Sequence, residues 1–292
     1  MIYTLENDLL KVQINSMGAE LWSIYDKRNG TEHIWQGDPA IWNRRAPNLF
    51  PFCGRLKNNQ YIMGGKVYKA TLHGFSRDYE HKPVQRNETS VTFRLEDNAE
   101  TLEKYPFDFK LDVRYELTWD KLLCGFEVLN TGSCLMPFSI GYHTGYMCPF
   151  DKEHPITDYS LVFEKKEVAE EIMCDENGLL SGDKRLYLDG QDTIPLHDGL
   201  FPSSFALSGL KSEYVSIVEN TTGRGVRVHI KDFPYVVFWS VPDQVRFVCI
   251  EPWYGLPDEA HTEGFFDQKP GILKIKPGES FNCAQIIEIM ND

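Results

Sequence analysis

The sequence predicts an all-β protein, a large antiparallel β-sandwich with few short helices. The first observation is alternation: six apolar residues at odd positions from 109 to 119 alternate with six polar residues from 110 to 120. A period of two is typical of a strand with one wet face. The second observation is the scarcity of helical periodicity. The third is a series of turn signals between apolar runs, namely Asn29-Gly30, Gly64-Gly65, Asn177-Gly178, Thr222-Gly223 and Pro277-Gly278.

Apolar runs in chain order give the individual elements. The strands are predicted at residues 10–14, 20–25, 90–96, 109–119, 122–130, 214–219, 226–230, 235–241, 247–251, 272–275 and 280–289. The 235–241 run is apolar on both faces, which is typical of a central strand. Asn98 is a candidate N-cap for one short helix ending at Lys104, before Pro106. Lys121 is predicted to begin a tight turn. Residues 151–199 are more polar and less regular, which favours long loops over the core.

Length and composition favour one domain covering residues 1–292. The chain has 292 residues and is 42% hydrophobic, which is ample for a sizeable core. No linker, low-complexity segment or clear internal repeat divides it. All-β folds often reach this length as a single domain.

The charge balance argues against nucleic-acid and membrane partners. The chain carries 30 basic and 43 acidic residues, a formal net charge of −13, whereas both partners need a basic surface. No window holds 18 apolar residues, and the first residues have no basic region before an apolar run. The seven cysteines are scattered without a C-x-x-C pair, so neither a disulfide framework nor a zinc knuckle is predicted. We therefore expect a cytoplasmic protein.

The most distinctive segment runs from Phe247 to Gly255, where an apolar strand meets a carboxylate, a proline, two aromatic residues and a glycine. Alternation along a strand places Phe247, Cys249 and Glu251 on one face. A proline cannot donate to a strand ladder, so Pro252 is predicted to end the strand and leave Glu251 at its tip. Glu251 is then either a base held on rigid backbone or one half of a buried structural ion pair.

Three other polar groups stand in apolar, glycine-containing surroundings: Arg55 after Cys53-Gly54, His73 before Gly74, and His143 between Gly141 and Gly145. Each alone is more typical of structure: a core histidine, or an arginine extending to solvent. The same holds for Trp239, Trp253 and Tyr254 as core aromatic residues. The remaining histidines, including His33 and His81, lie in polar or surface-like contexts and receive no role.

Taken together, two histidines, an arginine and a carboxylate without metal-ligand spacing indicate general acid–base chemistry on an uncharged polar substrate. Sequence motifs for nucleotides, zinc, calcium and serine hydrolases are absent. We expect no cofactor and no metal. A glycoside hydrolase would need a second carboxylate facing Glu251, and the sequence nominates none.

These segments occur in an order that resembles the aldose 1-epimerases, within the galactose mutarotase-like family and closest to its LacX-type branch. The resemblance rests on Gly54-Arg55-Leu56, Leu72-His73-Gly74-Phe75, Gly141-Tyr142-His143 and 249–255, and it spans nearly the whole chain. It implies the family's supersandwich, a large antiparallel β-sandwich. The pattern His73-Gly74-Phe75-Ser76-Arg77 is also similar to the hexose-6-phosphate mutarotase branch.

The resemblance implies a role for each matching residue. Glu251 matches the general base that takes the proton of the anomeric hydroxyl, and His143 the general acid that protonates the ring oxygen. His73 and Arg55 match groups that bind the ring oxygen and neighbouring hydroxyls, with His73 stabilising developing charge. Trp253 and Ser203 are further candidate substrate-binding residues. Arg77 either binds a sugar phosphate or pairs with Asp78 or Glu80.

One departure from the family pattern concerns an aspartate that usually holds sugar hydroxyls on a strand between the acid and the base. The corresponding region, residues 201–207, has serines and no carboxylate. The expected substrate is a free hexose such as glucose or galactose, and the alternatives are a phosphorylated hexose or a sugar-binding protein without turnover. The expected assembly is a monomer or a homodimer.

Overall fold

A computed structural model describes residues 1–291. It contains one α-helix, α1 (Ala99–Lys104), and short 3-10 helices at Lys57–Asn59, Ser76–Asp78, Ile156–Asp158 and Phe266–Gln268. The strands are β1 (Ile2–Glu6), β2 (Leu10–Asn15), β3 (Glu20–Asp26), β4 (Thr31–Glu32), β5 (Asn48–Leu49), β6 (Gln60–Met63), β7 (Lys66–Lys69), β8 (Lys82–Arg86), β9 (Ser90–Glu96), β10 (Phe109–Thr118), β11 (Lys121–Asn130), β12 (Met136–Phe138), β13 (Ile140–Tyr142), β14 (Thr144–Met147), β15 (Tyr159–Cys174), β16 (Leu180–Pro195), β17 (Phe205–Ser208), β18 (Tyr214–Glu219), β19 (Gly225–His229), β20 (Tyr235–Trp239), β21 (Phe247–Tyr254), β22 (Leu273–Ile275) and β23 (Ser280–Met290).

Most strands join one 15-stranded antiparallel sheet. Its strand order is β5-β13-β21-β20-β17-β15-β18-β19-β23-β11-β10-β9-β8, with β14 also paired to β21 and β16 to β15. Strands β1 to β4 form a separate meander, and β6-β7 and β12-β22 form two small ribbons. The predicted all-β, antiparallel fold is confirmed.

The large sheet folds back on itself to make the sandwich. Phe126 on β11 stacks on Tyr142 of β13 at 4.3 Å between ring centroids, although the two strands are far apart in the strand order. The Tyr142 hydroxyl donates a hydrogen bond to the Cys124 carbonyl at 2.6 Å, also on β11. Tyr142 therefore points into the core between the two limbs of the sheet, and its neighbour His143 is directed the other way.

The predicted helix and most predicted strands are confirmed within a few residues. Asn98 caps α1 by accepting hydrogen bonds from the Glu100 and Thr101 backbone amides. The predicted turn after β10 is displaced by two residues, because Trp119 leaves the strand with φ +54° and its side chain is 76% exposed. Lys121 belongs to the next strand and does not begin the turn.

The expectation of long loops over residues 151–199 is wrong. This region forms β15 and β16, two 16-residue strands paired as a hairpin. The hairpin has several register shifts. The buried face of β15 includes Glu167, Ala169 and Glu171, and most of β16 is exposed. A buried face that carries glutamates, paired with a largely exposed strand, shows no alternation of apolar and polar residues, so the pattern could not reveal the hairpin.

The expectation that Pro252 ends its strand is also wrong. Strand β21 continues through Pro252 to Tyr254, so Glu251 lies inside the sheet and not at a strand tip. The interruption appears instead on the neighbouring strand, which breaks between β13 and β14 at His143, the residue opposite Glu251. Pairing on both sides of Pro252, with Val237 opposite Glu251 and Gly141 opposite Trp253, keeps β21 intact although a proline donates no ladder hydrogen bond.

Two histidines expected near the surface are buried. His33 is 3% exposed and His81 is fully buried, so their polar sequence neighbours were a poor guide to burial. All seven cysteines are unpaired. Among the helices described in residues 1–291, none is long and apolar enough to cross a membrane.

Candidate active site

His143 and Glu251 face each other across two neighbouring antiparallel strands. Gly141 pairs with Trp253 on one side of the break and Thr144 pairs with Ile250 on the other, so the register places His143 opposite Glu251. Residues directly opposite on antiparallel strands point to the same face. Accordingly, Nδ1 of His143 lies 3.5 Å from Oε1 of Glu251. The sheet thus brings together the two residues predicted as acid and base.

Glu251 lies in an otherwise apolar row of the sheet. Strand pairing aligns it with Val237, then Ala206, then Ile172, and these three side chains line a cavity. The Glu251 side chain is 1% exposed, and its Oε2 atom has no hydrogen-bond partner in the described structure. Burial raises the pKa of the Glu251 carboxyl well above its usual range because the charged form is poorly solvated there.

His143 is enclosed by indole rings. Trp42 stacks on its imidazole at 5.1 Å between centroids, and Trp239 approaches edge-on at 5.6 Å. Burial, reinforced by the positive charge of Arg77, lowers the pKa of His143 to about 3. Trp42 was missed in the sequence because a single tryptophan outside any strand pattern carries no signal. Trp239 was assigned to the core there, and it does pack on Phe247 at 5.5 Å while also touching His143.

A thiol adjoins this pair. The sulfur of Cys249, a ring nitrogen of His143 and a carboxylate oxygen of Glu251 all lie within 4.8 Å of one another, and no other such trio of possible metal ligands occurs in residues 1–291. Cys249 shares a strand face with Glu251, as the alternation predicts.

His73 is held as a neutral hydrogen-bond donor. The Gly54 backbone amide donates to its Nδ1 at 3.1 Å, so Nδ1 carries no hydrogen and Nε2 carries the proton. Burial lowers the pKa of His73 well below its ordinary value, and the neighbouring His143 and Arg77 add to the effect. Its ring lies 5.2 Å from that of His143 and 5.6 Å from that of Trp253, edge-on to both.

Two glycines make this close assembly possible. Gly74 has φ +75°, and a Cβ there would lie 2.2 Å from the Phe50 carbonyl oxygen. A Cβ on Gly141 would lie 2.5 Å from the Trp253 ring. Both positions bear out the prediction that glycine beside the polar groups permits close approach.

A cavity of about 720 Å³ opens beside these residues. Four of the seven predicted site residues line it: Arg55, His73, Ser203 and Trp253. The indole Nε1 of Trp253 donates to the Tyr142 carbonyl at 3.0 Å, which fixes the ring in the wall. Nε of Arg55 lies 3.9 Å from where a Cβ on Gly178 would stand, so its side chain extends toward the tip of the β15–β16 hairpin.

The hairpin supplies cavity-lining residues that the sequence interpretation missed. Glu171 and Arg185 line the cavity from β15 and β16 and form an ion pair at 2.5 Å. The turn residues Asp175, Glu176 and Asn177 also reach it. Carboxylates therefore border the cavity, although the 201–207 segment has none. With the hairpin region interpreted as loops, no sequence signal could place them there.

Arg77 does not line the cavity but lies behind it. Its Nη2 donates to the Leu72 carbonyl at 2.6 Å, and its buried Nε has no partner among the described residues. Burial and the nearby Arg44 lower the pKa of Arg77 to about 10. Asp78 pairs with Arg44 instead, at 2.6 Å, and Glu80 pairs with the Met1 amino group at 3.9 Å. The alternative that Arg77 pairs with either carboxylate is thus wrong.

The antiparallel supersandwich, with a histidine and a glutamate facing each other near a cavity, matches the class of protein that comparison with known families gives. The family described as Aldose 1-epimerase matches residues 1–287. The chain belongs to the aldose 1-epimerase family.

The similar proteins narrow the branch. The chain is 35% identical over 300 residues to the chromosomal protein LacX of Lactococcus lactis subsp. lactis, with both chains fully covered. It superposes on a galactose mutarotase related enzyme from Lactobacillus acidophilus with a TM-score of 0.95 and 33% identity, covering 100% of this chain and 98% of that one. It also superposes on a galactose mutarotase-like protein from Lactobacillus casei with a TM-score of 0.93 and 32% identity, covering 99% of this chain and 100% of that one. The resemblance to the LacX-type branch is confirmed.

Proposed function

We propose that this protein is a cofactor-independent aldose 1-epimerase that interconverts the α and β anomers of a hexose. The observation that carries the proposal is the buried pair of His143 and Glu251, 3.5 Å apart. The pair adjoins the cavity through His73 and Val237, which line it and neighbour His143 and Glu251 respectively. Glu251 takes the proton of the anomeric hydroxyl and His143 protonates the ring oxygen, so the ring opens. Rotation about the first carbon–carbon bond and reclosure on the other face complete the exchange.

Burial of the pair bears on the two proton transfers of ring opening. The form that reacts carries the single proton of the pair on His143 and leaves Glu251 as a carboxylate, whereas burial favours the neutral form with that proton on Glu251. After both proton transfers, the two groups are neutral. A poorly solvated site disfavours the charged forms, and burial shifts the pKa of Glu251 up and that of His143 down. Both shifts drive the protons in the direction that opens the ring. Reclosure returns each proton, so no net proton is consumed.

The remaining predicted residues bind and orient the sugar. His73 presents its Nε2 proton as a fixed neutral donor, because Gly54 occupies its other nitrogen. Trp253 offers an apolar wall for one face of the ring, while Arg55 and Ser203 offer donors for hydroxyl groups. Donors already held in place stabilise charge developing on oxygen without reorganising during the reaction.

The favoured substrate is a free hexose. Glu171, paired with Arg185 at the cavity wall, is a candidate for holding hydroxyl groups in place of the aspartate absent from residues 201–207. A phosphorylated hexose is the second candidate, and the observation that favours it is Arg55 extending along the cavity toward the hairpin tip. Arg77 is the weaker phosphate ligand because it lies behind the cavity wall. The cytoplasmic location and the monomeric or homodimeric state stay predictions.

Polarimetry tests the proposal directly. Freshly dissolved α-glucose, α-galactose and a hexose 6-phosphate are followed with wild type, Glu251→Gln and His143→Asn. We expect rapid equilibration of at least one sugar by wild type, and a loss of about 10²- to 10⁴-fold in each variant, the usual contribution of a general acid or base. Sugar binding by Glu251→Gln should stay within about tenfold of wild type, because the amide keeps the shape of the carboxylate.

The matched control is Glu103→Gln, the same chemical change at an exposed position of α1, which should equilibrate the sugar at the wild-type rate. Wild-type turnover in Glu251→Gln would refute the assigned base. Sugar binding by wild type without acceleration on any of the three sugars would instead establish a binding protein.

A further inference from the structure

The acid–base pair has a third potential metal ligand beside it that the proposed reaction does not use. Cys249 lies two residues before Glu251 on the same face of β21 and is fully buried. Its sulfur, a ring nitrogen of His143 and a carboxylate oxygen of Glu251 fall within 4.8 Å of one another. The sequence shows no metal-ligand spacing because the three residues come from distant segments: His143 lies between β13 and β14, and Cys249 and Glu251 lie on β21.

Two of these donor atoms have no partner within the protein. Nδ1 of His143 and Oε2 of Glu251 are both buried without a hydrogen bond among residues 1–291. The Glu251 side chain is 1% exposed and the His143 side chain is 11% exposed. Buried polar atoms are nearly always satisfied in folded proteins, so two unsatisfied atoms on facing side chains indicate an occupant.

The donor set selects the kind of occupant. Imidazole, thiolate and carboxylate together suit Zn²⁺, whereas Mg²⁺ and Ca²⁺ prefer oxygen ligands alone. The 3.5 Å between Nδ1 of His143 and Oε1 of Glu251 is close to the about 3.4 Å that separates two ligands of a tetrahedral ion with bonds of about 2.0–2.1 Å. The sulfur is up to about 1.2 Å farther from the other two ligand atoms than a closed tetrahedral site needs, a gap that side-chain rotation on binding closes.

We propose that His143, Cys249 and Glu251 form a binding site for a thiophilic divalent cation of the Zn²⁺ class, and that its occupancy stops turnover. On binding, the Cys249 thiol releases its proton to solvent, as does the His143–Glu251 pair. The cation then holds the Nδ1 lone pair and a carboxylate oxygen, so neither group can exchange a proton with the sugar. The inhibition, but not the binding, rests on the proposed mutarotase function.

Binding is tested with Co²⁺ as a spectroscopic probe of the purified, chelator-treated protein. Wild type should take up one equivalent with a thiolate-to-cobalt charge-transfer band, and one equivalent of Zn²⁺ should abolish the band. Cys249→Ala should lack the band. Cys124→Ala, which removes a comparably buried thiol on β11, should keep it. Absence of the band in wild type, or its persistence in Cys249→Ala, would overturn the proposal.

Inhibition is tested by polarimetry. Zn²⁺ should slow wild-type mutarotation, and a chelator should restore it. Cys249→Ala should keep the basal rate, which also shows that it folds, but require at least about tenfold more Zn²⁺ for half-inhibition, since even second-shell partners are worth that much affinity. Equal Zn²⁺ sensitivity of Cys249→Ala and wild type would refute the site. The cobalt measurement needs no turnover, so it judges the site even if polarimetry rejects the proposed activity.

Discussion

The pairing of His143 with Glu251 shows how the position of two ionisable residues in the fold changes the pKa of each. Each is nearly excluded from solvent, and their facing atoms are 3.5 Å apart. The pKa of the carboxyl is raised and that of the imidazole lowered, in both cases chiefly by burial. Such a pair titrates as a unit, and the proposed reaction requires the form that holds a single proton.

This single-proton requirement predicts the pH profile of mutarotation. After subtraction of the uncatalysed rate, wild-type kcat/KM should stay level across the neutral range. It should then fall as the pH rises through the raised pKa of Glu251, because above that pH the pair has no proton left for the ring oxygen. Stopped-flow polarimetry across the pH range in constant ionic strength measures it.

A lone carboxylate base gives the opposite trend. In that case kcat/KM would rise with pH through the same range, because deprotonation would create the active form. Observation of that rise would show that His143 is not the acid partner of Glu251.

Among the elements, the segment after β21 ties several parts of the cavity wall together through Asp258. The Asp258 amide donates to the Arg55 carbonyl at 2.9 Å, and the Asp258 carbonyl accepts from the Leu180 amide at 2.8 Å. Its carboxylate accepts from the Lys57 amide at 2.9 Å and lies 3.8 Å from Nζ of Lys269. Asp258 therefore positions both the first residue of β16 and the segment that carries Arg55.

The buried cation beside Asp258 gives a stability prediction. Lys269 is 4% exposed, and burial lowers its pKa to about 8. Lys269→Ala should lower the free energy of unfolding by about 3–5 kcal/mol, because it leaves the Asp258 carboxylate buried without its counter-charge. Urea denaturation monitored by tryptophan fluorescence measures the change.

An exposed lysine provides the control. Lys276 is paired with Glu279 at 3.9 Å, and both side chains are largely exposed, so Lys276→Ala should change the unfolding free energy by no more than about 0.5 kcal/mol. A similarly small change in the unfolding free energy for Lys269→Ala would mean that the buried Lys269–Asp258 pair does not stabilise the cavity wall.

For the molecule as a whole, buried histidines set the response to acid. Burial lowers the pKa of His33 to about 4 and that of His81 to about 4, whereas an unfolded histidine has a pKa of about 6.5. Between these values the unfolded chain binds a proton that the folded chain does not. The stabilisation is therefore complete above about pH 6.5 and is lost as the pH falls toward 4, by about 3 kcal/mol for each residue.

His33→Phe tests this acid sensitivity. Neither ring nitrogen of His33 has a hydrogen-bond partner in the described structure, and the ring packs edge-on against Phe150 at 5.6 Å. The variant should have a free energy of unfolding equal to or above that of wild type at about pH 7.5, and this free energy should fall less than that of wild type when the pH is lowered to about 5. Urea midpoints at the two pH values measure it, and one cooperative transition in the same curves would support the predicted single domain of residues 1–292.

His81→Phe is the matched variant. His81 bonds the Tyr79 carbonyl at 3.0 Å and Ser76 Oγ at 3.3 Å, so its replacement should already be destabilising at about pH 7.5. If wild type and His33→Phe lose the same stability between the two pH values, protonation of His33 does not contribute to the acid sensitivity.

Local patterns in the chain were enough for the all-β architecture, eleven of the 23 strands in residues 1–291 and the helix capped by Asn98. These features depend on neighbouring residues: alternation records which face of a strand is buried, and a cap needs residues only three positions apart. Motif order was likewise enough to nominate His73, His143 and Glu251, which the folded chain places together.

Other features depended on residues far apart in the chain. The β15–β16 hairpin buries glutamates on β15 and leaves most of β16 exposed, so it left no periodic trace, and its contribution of Glu171 and Arg185 to the cavity could not be foreseen. The continuation of β21 through Pro252 depends on its pairing with the neighbouring strands β13 and β20. The position of Arg77 behind the cavity, the enclosure of His143 by Trp42 and the approach of Cys249 to the acid–base pair all follow from strand register and packing. Burial and long-range pairing belong to the folded chain as a whole, and so do the pKa values that give this site its chemistry.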